Sequence, residues 1–203
     1  LRLGIDRVIF GPDRHDRAGV LRDHNIPADR ILALFVGRVD VGKNIYTLID
    51  AAKKCIAEGL PVHILVAGLG PASDDVRARL GDHATLLGFV EPAELGRLFA
   101  SVDCLVVPSE VEMRSMVCIE AMACGCPALI SRHSNIHALF DHTAAMQVID
   151  RGAEHWAEAL RGFVRDDAKR TTMRKAVFDY GTHQLASWHD VLAEDLLRVW
   201  QMA

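Results

Sequence analysis

Ile31-Leu32-Ala33-Leu34-Phe35-Val36-Gly37 is an unbroken apolar run closed by a glycine. No polar residue alternates within it, so neither face is expected to meet water, which is the mark of a strand in a parallel sheet covered on both sides. The period then changes. Over residues 44–58 the apolar residues Ile45, Leu48, Ile49, Ala52 and Ile56 recur at helical spacing, and Gly59 follows as a stop. Val62 to Ala67 reads as the next strand, and Ser73 with Asp74 is expected to cap a short helix. Thr85-Leu86-Leu87 is a third strand, with Pro92 opening the helix after it. Cys104 to Val107 is a fourth strand, Met116 to Cys124 a helix ended by Gly125, Ala128 to Ile130 a fifth strand, and Ala145 to Ile149 a sixth. Strands and helices in strict alternation predict an α/β fold: a doubly wound parallel sheet of six strands with helices on both faces. After Asp150 the pattern is helical only, over about residues 153–164, 168–180 and 187–200, while residues 11–30 read as a polar connecting segment.

The chain has 203 residues, 50% of them hydrophobic, which suits one domain with a full core. The formal charge of -4 is mixed along the sequence and gives no broad basic face for nucleic acid. No apolar run reaches the ~20 residues needed to span a bilayer, and the polar start, Leu1 to Asp6, does not read as a signal peptide. Five cysteines, odd in number and set in apolar runs, read as reduced core residues, so a cytoplasmic location is expected. Cys124 and Cys126 lack a partner pair at finger spacing, and no metal is expected. His133, His137 and His142 read as surface helix histidines rather than as ligands. Because residue 1 is Leu, the sequence is expected to be a piece of a longer protein.

Ligands of open parallel sheets bind beyond the carboxyl ends of the strands. The polar and glycine residues of this chain gather there: Gly37-Arg38 after the first strand, Gly68-Leu69-Gly70-Pro71 after the second, and Gly88-Phe89-Val90 after the third. Pro108-Ser109-Glu110-Val111-Glu112 follows the fourth, and Ser131 ends the fifth. Arg38 and Lys43 are either two solvated charges or the flanks of an anion. A cation at a helix start opposes the helix dipole unless an anion lies there. Glu120 sits among Ile119, Ala121 and Met122 in the most apolar helix of the chain, where a carboxylate is costly unless something specific pairs with it.

Taken together, Gly37-Arg38 with Lys43, Pro108-Ser109, and Glu112 spaced eight residues from Glu120 within Glu120-Ala121-Met122-Ala123-Cys124-Gly125-Cys126-Pro127 resemble one known domain. It is the C-terminal, Rossmann-like, nucleotide-sugar-binding half of retaining GT-B glycosyltransferases of group 1 (family-four type). Gly4-Ile5-Asp6 with Phe10 and Pro12 looks like that family's lead-in to its second domain. The resemblance implies a donor-binding domain over residues 1–203, with a leading segment (1–30), closing helices (151–203) and an absent N-terminal acceptor domain. It implies that Arg38 and Lys43 hold the diphosphate and, with Glu112 on the hexose, are catalytic. Glu120 would accept from the ribose hydroxyls, and Arg114, Ser115 and Met116 would face the phosphate and sugar. Gly88, Phe89 and Val90 would meet the base, with Gly37 and Ser109 completing the donor site. The expected donor is a UDP-, GDP- or ADP-sugar, with no metal. The hexose would go to a glycan or lipid-linked acceptor in polysaccharide biosynthesis, with the full-length protein cytoplasmic or peripheral at the inner membrane face. The alternatives are a non-catalytic nucleotide-binding partner and the donor half of a split transferase. Met113-Arg114-Ser115 departs from the family's usual Gly-Phe-Gly, as do Ser134-Asn135 and Ala138 from its later glycines and acid. Apolar surface is expected beside the cleft.

Overall fold

The computed structural model describes residues 3–111, 115–136, 138, 143–197 and 200. Six parallel strands form one sheet: β1 (Ile31–Val36), β2 (Val62–Ala67), β3 (Ala84–Gly88), β4 (Cys104–Val107), β5 (Ala128–Ser131) and β6 (Met146–Ile149). Their order is β3-β2-β1-β4-β5-β6, so the chain reverses direction of winding between β1 and β4. The doubly wound α/β reading of the sequence is therefore correct. The run that suggested it, β1, lies at the centre, with Ile31 beside Val62 and Ala33 beside Cys104.

Alternate strand residues feed two cores. Leu32, Leu34, Leu65, Leu105 and Ile130 face one layer, built by α1 (Arg17–Asp23), α4 (Pro92–Ser101), α5 (Met116–Ala123) and part of α7 (Asp167–His183). Ala33, Phe35, Ile64, Val66 and Leu129 face the other, built by α2 (Ile45–Ala57), α3 (Ser73–Leu80) and α6 (Ala153–Arg165). Burial on both faces is what an uninterrupted apolar strand requires. The five cysteines are free and buried, as their apolar settings predict. Burial pushes the Cys124 thiol up to about 12.

Two local readings are corrected. Residues 11–30 are not simply a connection. They hold a 3₁₀ turn (Pro12–Arg14) and α1, whose Asp16 cap accepts from Gly19 N at 3.0 Å and whose Asp16 N donates to Ser101 Oγ at 2.8 Å. Ser73 is the first residue of α3 rather than its cap. The cap position is Ala72, and the Ser73 hydroxyl donates to Gly70 O at 2.8 Å.

The beginning of the described chain is sewn to its end. Ile5 N donates to Ala186 O at 2.9 Å, Trp188 N to Ile5 O at 3.1 Å, and the Arg7 guanidinium to Gly181 O and Leu185 O. The last helix opens at Trp188, where Ser187 and Asp190 form a capping box, and widens into a π-helical stretch over Val191–Leu196. No helix among the described residues is long and apolar enough to cross a membrane.

Candidate functional site

The loops leaving β1 to β4 form a cleft of two lobes at the carboxyl edge of the sheet. The first lobe encloses about 220 Å³ between Gly37, Lys43, Pro108, Ser109, Ser115 and Met116. The second encloses about 280 Å³ and is lined by Gly37, Arg38, Gly68, Phe89 and Val90 among others. Val36 and Gly37 border both. Jointly they fall within the ~300–1,000 Å³ of small-molecule sites. The first lobe also stands between β1 and β4, where strand order reverses, the usual ligand position in such sheets, and the second extends from it over β2 and β3.

Each wall has a local cause. After β1 the chain makes a 3₁₀ turn, Val41–Lys43, capped by Asp40, whose Oδ1 accepts from Lys43 N at 3.0 Å. Asp40 is buried, and its other oxygen pairs with Arg38 Nε. The two cations of the motif are thus placed differently. Lys43 lines the first lobe, while Arg38 lines the second, exposed and oriented by Asp40. Asn44 adopts the left-handed backbone (φ 55°) that joins this turn to α2, and its Nδ2 donates to Pro108 O at 3.1 Å. Asn44 and Asp40 are site-shaping residues that the motif reading missed. The available signal was an Asn at a turn-to-helix junction, a residue type that tolerates positive φ.

The glycines after β2 serve backbone packing. A Cβ on Gly68 (φ 145°) would lie 1.8 Å from Gly37 O, and one on Gly70 would lie 2.2 Å from Val39 O. Gly68 N donates to Gly88 O and Val39 N to Leu69 O, so the loops after β1, β2 and β3 are held against one another. Of the three residues expected at the base, Phe89 and Val90 line the second lobe, whereas Gly88 is the last residue of β3. The Ser131 hydroxyl is engaged in its own turn, accepting from His133 N at 3.2 Å.

On the β4 side, Ser109 is buried and its hydroxyl donates to Val111 O at 3.4 Å. Ser115 caps α5, accepting from Cys118 N, so the opening turn of that helix stands at the first lobe beside Lys43. The leading N–H groups of a helix have no acceptor inside it and favour anions. Glu120 lies one turn deeper on the face of Met116 and Val117. Its carboxylate is half-buried, has no hydrogen-bond or ion-pair partner among the described residues, and burial raises its pKa above the ordinary carboxylate range. Glu112, Met113 and Arg114 lie outside the described residues, as do His137 and His142, while His133 is exposed. Among the described residues no group of three His, Cys, Asp or Glu is placed to hold a metal ion.

Val41, Leu69, Phe89 and Val111, one on each loop of the rim, are all at least 65% exposed, which meets the expectation of apolar surface at the cleft.

A reversed-order parallel sheet with a cleft of this composition defines a nucleotide-binding α/β domain as a class. The description "Glycosyl transferases group 1" matches residues 17–179. The chain is 33% identical over 177 residues to a D-inositol 3-phosphate glycosyltransferase of Mycolicibacterium paratuberculosis, which covers 81% of this chain and 38% of that protein. The chain belongs to the group 1 glycosyl transferases. Among solved structures it is similar to sucrose-phosphate synthase from Thermosynechococcus elongatus, with a TM-score of 0.82 and 24% identity over 98% of this chain and 51% of that one. It is also similar to Anabaena HepE in complex with UDP-glucose, with a TM-score of 0.81 and 18% identity over 98% and 56%. These structures share its fold, the arrangement of one half of a GT-B enzyme. The chain spans about half the length of these relatives or less.

Proposed function

We propose that this domain binds a nucleoside-diphosphate sugar and serves as the donor half of a retaining hexosyltransferase acting on a glycan or lipid-linked acceptor. The observation that carries the reading is the two-lobed cleft meeting at Gly37. A cation and a helix start occupy one lobe, and an exposed aromatic residue with an arginine the other. In this reading the diphosphate lies across Gly37 between Lys43 and Arg38, and the base rests against Phe89 and Val90. Glu120, a half-buried carboxylate without a partner among the described residues, accepts from the ribose hydroxyls. The complex of HepE with UDP-glucose supports a nucleotide sugar as the ligand class.

The transfer breaks the bond between the anomeric carbon and the phosphate oxygen and forms one to an acceptor hydroxyl oxygen on the same face. The hydroxyl proton passes to the departing diphosphate. Lys43, Arg38 and the α5 start stabilise the negative charge that develops there, without a metal. Glu112 holds the hexose. In this reading an N-terminal domain binds the acceptor, and the full-length protein works in the cytoplasm or at its membrane surface.

The test is calorimetry of this chain with UDP, GDP and ADP and with their sugars. One base is expected to bind at sub-millimolar levels. Lys43→Ala and Arg38→Ala should each weaken it about 10-fold or more, the worth of a charge-assisted hydrogen bond. No binding at millimolar concentration, or binding that neither substitution changes, refutes the assignment.

A further inference from the structure

We propose that Asp40 is a positioning residue of the donor site, one buried carboxylate that sets the geometry of both motif cations. In the donor-site reading above, on which this rests, Arg38 and Lys43 flank the diphosphate. Asp40 has the wrong charge for such a place. A carboxylate beside an anion site repels the ligand, and a turn cap does not need one, because Ser or Asn caps as well. Yet Asp40 follows Arg38 by two residues and precedes Lys43 by three, with only 11% of its side chain exposed.

Its two oxygens serve different partners. Oδ1 accepts from Lys43 N at 3.0 Å and closes the 3₁₀ turn Val41–Lys43, which fixes the backbone from which Lys43 reaches the first lobe. Oδ2 pairs with Arg38 Nε. A guanidinium held through Nε keeps the donors of both Nη groups for other acceptors. The Arg38 side chain is 72% exposed, and among the described residues only Asp40 forms an ion pair with it at the second lobe. A Cβ on Gly42 would lie 3.4 Å from Asp40 Oδ1 and 3.8 Å from Arg38 Nη2, so the paired side chains lie back over the turn. The carboxylate stands on fixed backbone. Val39 N donates to Leu69 O and Ala72 N to Val39 O, each at 3.0 Å, and Ile45 N donates to Asp40 O at 3.4 Å.

Two effects compete when the charge is removed. Loss of the repulsion should by itself strengthen diphosphate binding about twofold, as for a solvent-screened interaction across several ångströms. Release of Arg38 should weaken it about five- to tenfold, because the ligand must then order a long exposed side chain. Ordering wins, and the net loss should be about three- to fivefold.

Calorimetry of this chain with UDP, GDP and ADP tests this with whichever binds. Asp40→Asn and Asp40→Ser each keep one acceptor, enough for the cap but not for the guanidinium as well. Both variants should bind the nucleoside diphosphate about three- to fivefold more weakly than wild type, with melting temperatures within about 3 °C of it. In an Arg38→Ala background the same substitutions should weaken binding no further, because only the repulsion is left to lose. A residue that merely supports the loop would weaken binding equally in both backgrounds, and that result overturns the assignment. So does binding by Asp40→Asn and Asp40→Ser that equals or exceeds wild type while Arg38→Ala weakens it. A wild-type chain that binds none of the three nucleotides overturns the donor-site reading itself, an outcome distinct from the other two.

Discussion

Glu120→Gln keeps the shape of a side chain while removing its titration, and the two consequences should have opposite signs. The carboxylate is half-buried, has no partner among the described residues, and burial raises its pKa above the ordinary 4.5. The folded chain therefore holds the proton more tightly than the unfolded one. Below the unfolded value both states are protonated and Glu120 costs nothing. Above it, the folded state must ionise a poorly solvated group, and stability declines until the folded pKa is passed. An unpaired buried polar group costs ~1–3 kcal/mol, and half-burial places this one at about 1 kcal/mol. Relative to wild type, Glu120→Gln should thus gain about 1 kcal/mol at pH 7.5, some 2–4 °C in melting temperature for a chain of this size, and close to nothing at pH 4. Over the same change nucleotide binding should weaken about 10-fold, because in the proposed donor site an amide would replace the charged acceptor of the ribose hydroxyls. Paired thermal melts at the two pH values, with calorimetry at pH 7.5, measure both. A variant less stable than wild type at pH 7.5, or equally displaced at both pH values, refutes the desolvation argument. Unchanged nucleotide affinity refutes the role.

Two further outcomes follow from buried geometry. His63 is 3% exposed, shares Nε2 with Thr85 Oγ1 at 2.8 Å, and leaves Nδ1 unpartnered. Burial, with Arg30, His83 and His24 nearby, holds its pKa at about 4 against 6.5. Stability should accordingly be full above pH 6.5 and fall by roughly 2–3 kcal/mol toward pH 4. Urea titrations of His63→Asn should show a flatter profile over that window, and an equally steep one would exclude His63 as the cause. Gly68→Ala should cost at least about 3 kcal/mol or abolish soluble expression, since its Cβ would lie 1.8 Å from the Gly37 carbonyl at a positive φ. A urea midpoint corresponding to a loss of less than 1 kcal/mol would show that the loops after β1 and β2 can separate.

What the sequence made legible was whatever a segment carries within itself. The strand Ile31–Val36 and the helix Ile45–Ala57 each announce their burial through period alone, and both were read to within a residue or two. Helix Arg17–Asp23 was not, because it buries only Gly19 and Val20 and is held by Asp16 and by Arg97, far away in sequence. Glycine at a rim says that something comes close, but not what. At Gly68 and Gly70 it is the carbonyls of Gly37 and Val39, where the sequence suggested a ligand. Arg38 and Lys43 were read as one anion clamp. The structure divides them between lobes, since the nearby Asp40 takes Arg38. The ion pair of Glu110, after β4, with Arg151, after β6, was out of reach for another reason. It depends on which strand lies between two others, a property of the assembled sheet rather than of any segment.

The seam joining Ile5 and Arg7 to residues 181–188 also bears on how the chain is made. The Arg7 contact to Gly181 spans 174 residues of sequence, so neither partner can meet the other until all the residues between them have left the ribosome. At ~5–20 residues per second the leading segment waits roughly 10–35 s for its docking site. During that time Ile5, buried in the finished molecule and bonded to Ala186 and Trp188, has no final home. The central strands can form beforehand, whereas the seam can close only after them, and until it does the leading segment stays open to chaperones and proteases.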